Sequence, residues 1–148
     1  MKQNCRIRRA RNLDLEEIAA IESYWPTAPH WSQNQLNSEL FRKDSVFLAA
    51  EIEGLIAGYC FARIVEKEAQ LLSLSTHPKQ LRQGIARKLL GIFFEEARSK
   101  GCSHATLEVS KLNAQALRLY QATGFQVVGG RSKFYNDGSD ALLMDISL

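Results

Sequence analysis

Apolar and polar positions along this chain switch between two periods. From Cys5 to Arg11 they alternate, as in a strand with one covered face. At Leu15 the spacing changes: Leu15, Ile18, Ala19, Ile21 and Glu22 form a stripe with a period of about 3.6, a helix that Asn12 and Asp14 can cap. That helix should stop near Trp25-Pro26, because a proline disfavours helix in the residue before it. Thr27 to Trp31 is a loop rich in proline and aromatics, and Ser32 caps a second helix, Gln33 to Arg42.

Strand signals follow. Val46 to Ile52 is apolar and rich in strand formers, Glu53-Gly54 marks a hairpin turn, and Leu55 to Val65 is the returning strand. Ala69 to Thr76 makes a third antiparallel strand. A turn at Gly84 leads into a helix running to Lys100, with Ile85, Leu89, Ile92, Phe93 and Ala97 on one face and Gly101 as its stop. Ala105 to Val109 is a strand. Asn113 to Thr123 is a helix with Ala116, Leu117 and Tyr120 one turn apart, ended by Gly124. Phe125 to Gly129 and Asp140 to Ile146 are the last strands, joined through the turn Asn136-Asp137-Gly138. This order predicts an α/β fold in one domain, residues 1–148: a mixed, mostly antiparallel sheet of about seven strands with four helices.

Composition narrows the class. With 148 residues, 45% hydrophobic and 24% charged, the chain can bury a sizeable core. A net charge of +3 suits an acidic ligand but gives no ground for direct nucleic-acid binding. Arg6, Arg8, Arg9 and Arg11 read as a solvated strand face. Lys79, Arg82, Arg87 and Lys88 surround the glycine turn instead. Cys5, Cys60 and Cys102 are odd in number and far apart, so neither a disulfide framework nor a zinc site is expected; they read as structural thiols in a reducing cytoplasm. His30, His77 and His104 lack metal-ligand spacing, so no metal is expected. The first residues carry no apolar run of a signal peptide, and no segment reaches the ~18–20 apolar residues of a membrane span.

The chemistry-bearing stretch is Leu81-Arg82-Gln83-Gly84-Ile85-Ala86-Arg87-Lys88. A strand runs into a short turn with one glycine, and the turn into a helix. A helix start carries unpaired N–H groups and the positive end of the dipole, and a glycine there lets a ligand come close. Strand, turn and basic helix start suggest a grip on a pyrophosphate.

On these residues the chain resembles the GNAT family of acetyl-CoA-dependent N-acetyltransferases. Gly84 and Ala86 match the family's Gln/Arg-x-x-Gly-x-Gly/Ala loop, whereas Leu81 departs from it at the first position. Further on, Leu107-Glu108-Val109, Asn113-Ala114-Gln115-Ala116, Leu119-Tyr120 and Gly124-Phe125 resemble the bacterial ribosomal-protein-alanine N-acetyltransferases, the RimI type. So do Trp31-Ser32 and the tail from Arg131 through Phe134-Tyr135 to Asp140, Ala141 and Met144.

The resemblance implies the GNAT fold and direct transfer of acetyl from acetyl-CoA to an amine. It implies Glu108 as base and Tyr120 as acid. Leu74, Ser75 and Thr76 would hold the acetyl carbonyl and pantetheine through their backbone. Arg82, Gln83, Gly84, Ile85, Ala86 and Arg87 would wrap the diphosphate, and Asn113 would approach the CoA arm while capping its helix. An α-amine titrates at about 7.7–8.0 against about 10.4 for lysine, so a base has less to do on an α-amine; a phenol near 10 can pass a proton to a thiolate near 8.5. Taken alone, Glu108 also reads as a surface glutamate, Tyr120 as a core tyrosine, and Arg82 and Arg87 as solvated cations.

The resemblance implies an acceptor groove between Trp25 to Gln33 and Arg131 to Asp140, with Trp31, Phe134 and Tyr135 as candidate substrate contacts; Trp25 is expected in the core. The implied acceptor is a protein N-terminal amine, the alanine of a small-subunit ribosomal protein. Two alternatives stay open: a small-molecule amine (amino acid, polyamine or aminoglycoside), or an acyl-CoA-binding module without catalysis. A cytoplasmic monomer or weak dimer is expected.

Overall fold

The computed structural model describes residues 4–26 and 31–148. Its strands are β1 (Cys5–Arg9), β2 (Ser45–Ile52), β3 (Leu55–Val65), β4 (Glu68–Thr76), β5 (His104–Ser110), β6 (Gln126–Arg131) and β7 (Ala141–Ser147). The helices are α1 (Leu15–Ser23), α2 (Gln33–Leu40), α3 (Ile85–Ser99) and α4 (Ala114–Thr123). All seven strands join one sheet in the order β1-β2-β3-β4-β5-β7-β6. Only the central pair, β4 and β5, is parallel; every other neighbour is antiparallel.

Helices cover both faces. One face buries Leu15, Ile18, Ile21 and Leu36 of α1 and α2 against Phe47, Tyr59 and Phe61. The other buries Ile85, Leu89, Leu90, Phe93 and Ala97 of α3, with Tyr120 of α4, against Leu48, Cys60, Ala62, Leu71, Leu107 and Met144. The α3 stripe therefore runs through Leu90 and Phe94, while Ile92 is only half-buried. α3 packs on β1, β2, β3 and β4, so its buried face is wider than one narrow stripe.

Local signals carry through to the structure. Ser32 caps α2, its hydroxyl accepting from Gln35 N at 3.1 Å while the Gln35 side chain takes Ser32 N. Asn113 caps α4 by accepting from Ala116 N. Glu53 and Gly54 both take positive φ, the tight hairpin geometry expected of that pair.

Two expectations change. Asp14 does not cap α1 through its side chain. Its carboxylate instead takes Arg8 at 2.7 and 2.9 Å and the amide of Arg11 at 2.7 Å. Arg8, which also reaches Glu51, thereby leaves the solvated strand face and becomes a half-buried tie between β1, β2 and the start of α1. Arg6, Arg9 and Arg11 stay exposed.

Candidate active site

A bulge opens the sheet where the site lies. On β4, Phe61 pairs with Ser73 and Ala62 with Leu71, so Leu72 is one residue too many. A bulge bends its strand and ends regular pairing nearby. The parallel pairing of β4 with β5 accordingly runs only from Ala69–Ala105 to Leu71–Leu107. Beyond it the strands part, and the backbone of 72–76 and of 108–110 is left facing a gap.

The bulge also sets which side chains face which way. Leu72 packs on the α1–α2 side, and Ser73 points the same way, where it meets Glu22 and Tyr59. Glu108 is the first β5 residue past the pairing. Its neighbours Leu107 and Val109 are buried under α3 and α4, so alternation sends Glu108 to the opposite face. Tyr120 comes from α4, on the Leu107 side. The two candidate catalytic side chains thus reach the gap from opposite faces of the sheet.

That gap is an open pocket of about 350 Å³. Glu108, Tyr120, Leu74, Ser75, Thr76, Arg82, Gly84, Ile85, Ala86, Arg87 and Asn113 all line it. Gln83 does not; it is exposed, and its amide donates to Gln80 Oε1 at 2.7 Å. Tyr135 lines the pocket, whereas Phe134 is exposed and Trp31 packs edge-on to Phe61 beside α1. Trp25, expected in the core, lines the pocket too: its indole Nε1 donates to Thr76 O at 3.0 Å. Residues 27–30 of the expected acceptor groove, His30 among them, lie outside the described residues.

The turn before α3 has the geometry its residues suggest. Arg82 and Gly84 both lie in the left-handed region, with φ of 63° and 75°. Nothing lies within 4 Å of where a Cβ would stand on Gly84, so the turn presents open backbone. No side chain caps α3, which leaves the first-turn amides for a ligand. The residues present fit a diphosphate: bare amides, a helix dipole, and exposed Arg82 and Arg87 at the mouth.

Electrostatics distinguish the two candidate catalytic groups. Burial pushes the Tyr120 phenol well above the usual tyrosine range, with Cys60 and Tyr135 adding to the shift. Tyr120 lines the pocket and keeps its phenol proton at neutral pH. Glu108 is 24% exposed and pairs with Arg131, Nη2 to Oε1 at 3.3 Å. The Tyr135 phenol is also raised, first by burial and then by the carboxylates of Glu108 and Asp137. Burial raises the Cys60 thiol strongly as well, which leaves it an inert thiol under the sheet. Among the described residues no cluster of three or more His, Cys, Asp or Glu is placed to hold a metal, and no helix is long and apolar enough to cross a membrane.

One group went unnoticed in the sequence. Glu22, only 1% exposed, accepts from Trp31 N at 2.7 Å, from Ser73 Oγ at 3.1 Å and from the Tyr59 hydroxyl. Its place on an apolar helical stripe was the available signal.

The chain matches the model of the acetyltransferase (GNAT) family over residues 8–125. It is 33% identical over 138 residues to the ribosomal protein bS18-alanine N-acetyltransferase of Escherichia coli K12, covering 91% of this chain and 92% of that one. The crystal structure of the E. coli ribosomal-protein-S18-alanine N-acetyltransferase superposes with a TM-score of 0.85 at 28% identity, over 97% of this chain and 94% of the other. The PaiA N-acetyltransferase of Thermoplasma acidophilum, solved in complex with coenzyme A, shares the fold at 22% identity, with a TM-score of 0.82 over 98% and 99% of the two chains.

Proposed function

The chain belongs to the GNAT family and is an acetyl-CoA-dependent N-acetyltransferase, and within that class we propose that it acetylates a protein N-terminal α-amine, the alanine of a small-subunit ribosomal protein. One observation carries the catalytic reading: Glu108 and Tyr120 line one pocket from opposite faces of the sheet, where β4 and β5 part. The acceptor assignment is supported by the E. coli bS18-alanine relative, alike over nine-tenths of both chains.

Acetyl-CoA supplies the activated acetyl group. The amides of Gly84 to Arg87 take its diphosphate, and Asn113 flanks the CoA arm. Backbone amides of Leu74 to Thr76 steady the thioester carbonyl oxygen as charge builds on it. Glu108, from the acceptor face, takes the proton the amine sheds, directly or through one water. As the C–S bond breaks, Tyr120 supplies a proton to the leaving sulfur. Burial raises its pKa, so the phenol is protonated at working pH, and it gives up that proton because the same burial disfavours the charged thiolate forming beside it. The full chain acts as one catalytic domain, in the cytoplasm.

The test is direct. Incubate the protein and acetyl-CoA with a peptide bearing a free N-terminal alanine, with a lysine peptide whose N-terminus is blocked, and with a polyamine. Product on the alanine α-amine alone supports the proposal. Product on the polyamine alone assigns a small-molecule acceptor, and no product with CoA bound assigns a binding module.

A further inference from the structure

The Glu108 carboxylate already has a cation. Arg131, the last residue of β6, places Nη2 3.3 Å from Glu108 Oε1, and its guanidinium lies 5.3 Å from the centroid of the Phe134 ring. The pair is loose. It falls outside hydrogen-bond geometry, and the Arg131 side chain is 54% exposed. Arg131 stands where the β6–β7 connection begins, a connection fastened to the end of β5 by Ser110 Oγ and Ser139 Oγ at 2.9 Å.

An amine substrate approaches Glu108 as a cation, because an α-amine is mostly protonated at neutral pH. It needs the carboxylate that Arg131 holds. We infer that Arg131 sets the affinity for the acceptor: its guanidinium is the stand-in counter-ion of Glu108, and the acceptor ammonium displaces it. The inference rests on the acceptor-amine reading above. Cation replaces cation, so Glu108 is not left bare in a half-covered pocket at any stage. An acceptor without a charged amine cannot make the exchange. The freed guanidinium stays over the Phe134 ring, which holds it at the groove by cation–π attraction.

Because a half-exposed pair contributes little, its removal should tighten acceptor binding by about two- to fivefold. Calorimetry on the protein saturated with CoA measures this without turnover. The ligand is a peptide with a free N-terminal alanine, and its N-acetylated form is the control. Arg131→Gln, which removes the charge but keeps a polar side chain, should tighten the free-amine peptide by that factor and leave the acetylated peptide unchanged. Arg131→Lys should stay within about twofold of the wild type. In a Glu108→Gln background, Arg131→Gln should have no effect.

Weaker or unchanged binding by Arg131→Gln overturns the inference while leaving the acceptor reading intact. So does the same tightening in the Glu108→Gln background. A CoA complex that binds no free-amine peptide removes the acceptor reading, and this inference with it.

Discussion

The indole nitrogen of Trp25 donates to the main-chain oxygen of Thr76 at 3.0 Å, tying the residue just past α1 to the last residue of β4. The bond lies at the pocket wall and ties down the end of β4 that has lost its β5 partner. Trp25→Phe keeps an aromatic ring, though a smaller one, and removes this donor. A loss of about 1 kcal/mol in stability is expected in chemical denaturation. The acceptor KM should rise several-fold while the CoA Kd changes little.

Gly58 on β3 tests the other side of the same strand. A Cβ there would stand 3.0 Å from Ser75 O and 3.1 Å from Ile85 Cγ2. The isoleucine methyl can yield; the carbonyl belongs to the pocket wall. Gly58→Ala should therefore introduce about 1–3 kcal/mol of strain, relieved by shifting Ser75–Thr76. Each 1.4 kcal/mol that reaches the cofactor site raises Kd about tenfold. Titration with CoA should show that loss with the fold intact by circular dichroism.

Glu22 separates a lost charge from lost hydrogen bonds. Glu22→Ala leaves the Trp31 amide without its carboxylate, while Tyr59 and Ser73 can still bond each other at 2.8 Å. A loss of about 3 kcal/mol is expected. Glu22→Gln can accept from Trp31 with its oxygen and donate to the hydroxyls with its nitrogen, so about 1 kcal/mol or less should be lost. Denaturant midpoints of the two variants check the ordering. Equal losses would mean that the charge, not the bonding, holds the start of α2.

Burial raises the phenols of Tyr59 and Tyr120 above their unfolded values. The sign follows from proton binding. Above about pH 10 the unfolded chain sheds these protons while the folded chain keeps them, so stability is full below that pH and falls as pH rises beyond it. Tyr120→Phe should flatten the alkaline limb of a stability–pH curve. In the wild type, kcat should show no descending phenol limb below about pH 10. Tyr120→Phe should lower kcat by about 10²- to 10⁴-fold and leave CoA affinity nearly unchanged. An affinity collapse with kcat intact would remove the acid role.

Much of this architecture is written in short-range signals. Ser32, Asn113, Gly84, Gly101 and Gly124 act within one turn of their own positions, so caps, stops and the glycine turn before α3 can be read off neighbouring residues. The bulge at Leu72 cannot, because it exists only in the register between β3 and β4. The same holds for Arg8 with Asp14 and Glu51, for Trp25 with Thr76, and for Glu108 with Arg131: each joins residues that only the folded sheet brings together. Glu22 was legible as a polar residue on an apolar stripe, but its partners Tyr59 and Ser73 are 37 and 51 residues away.

Acetyl-CoA binding as proposed depends on the amides that open α3. With backbone ¹⁵N resonances assigned, CoA is titrated into the protein and amide shifts are followed. The largest changes should fall on Gly84, Ile85, Ala86 and Arg87, with a second group at Leu74 to Thr76, and Gly84→Val should abolish both. Saturable CoA binding that leaves the Gly84–Arg87 amides unmoved would contradict it.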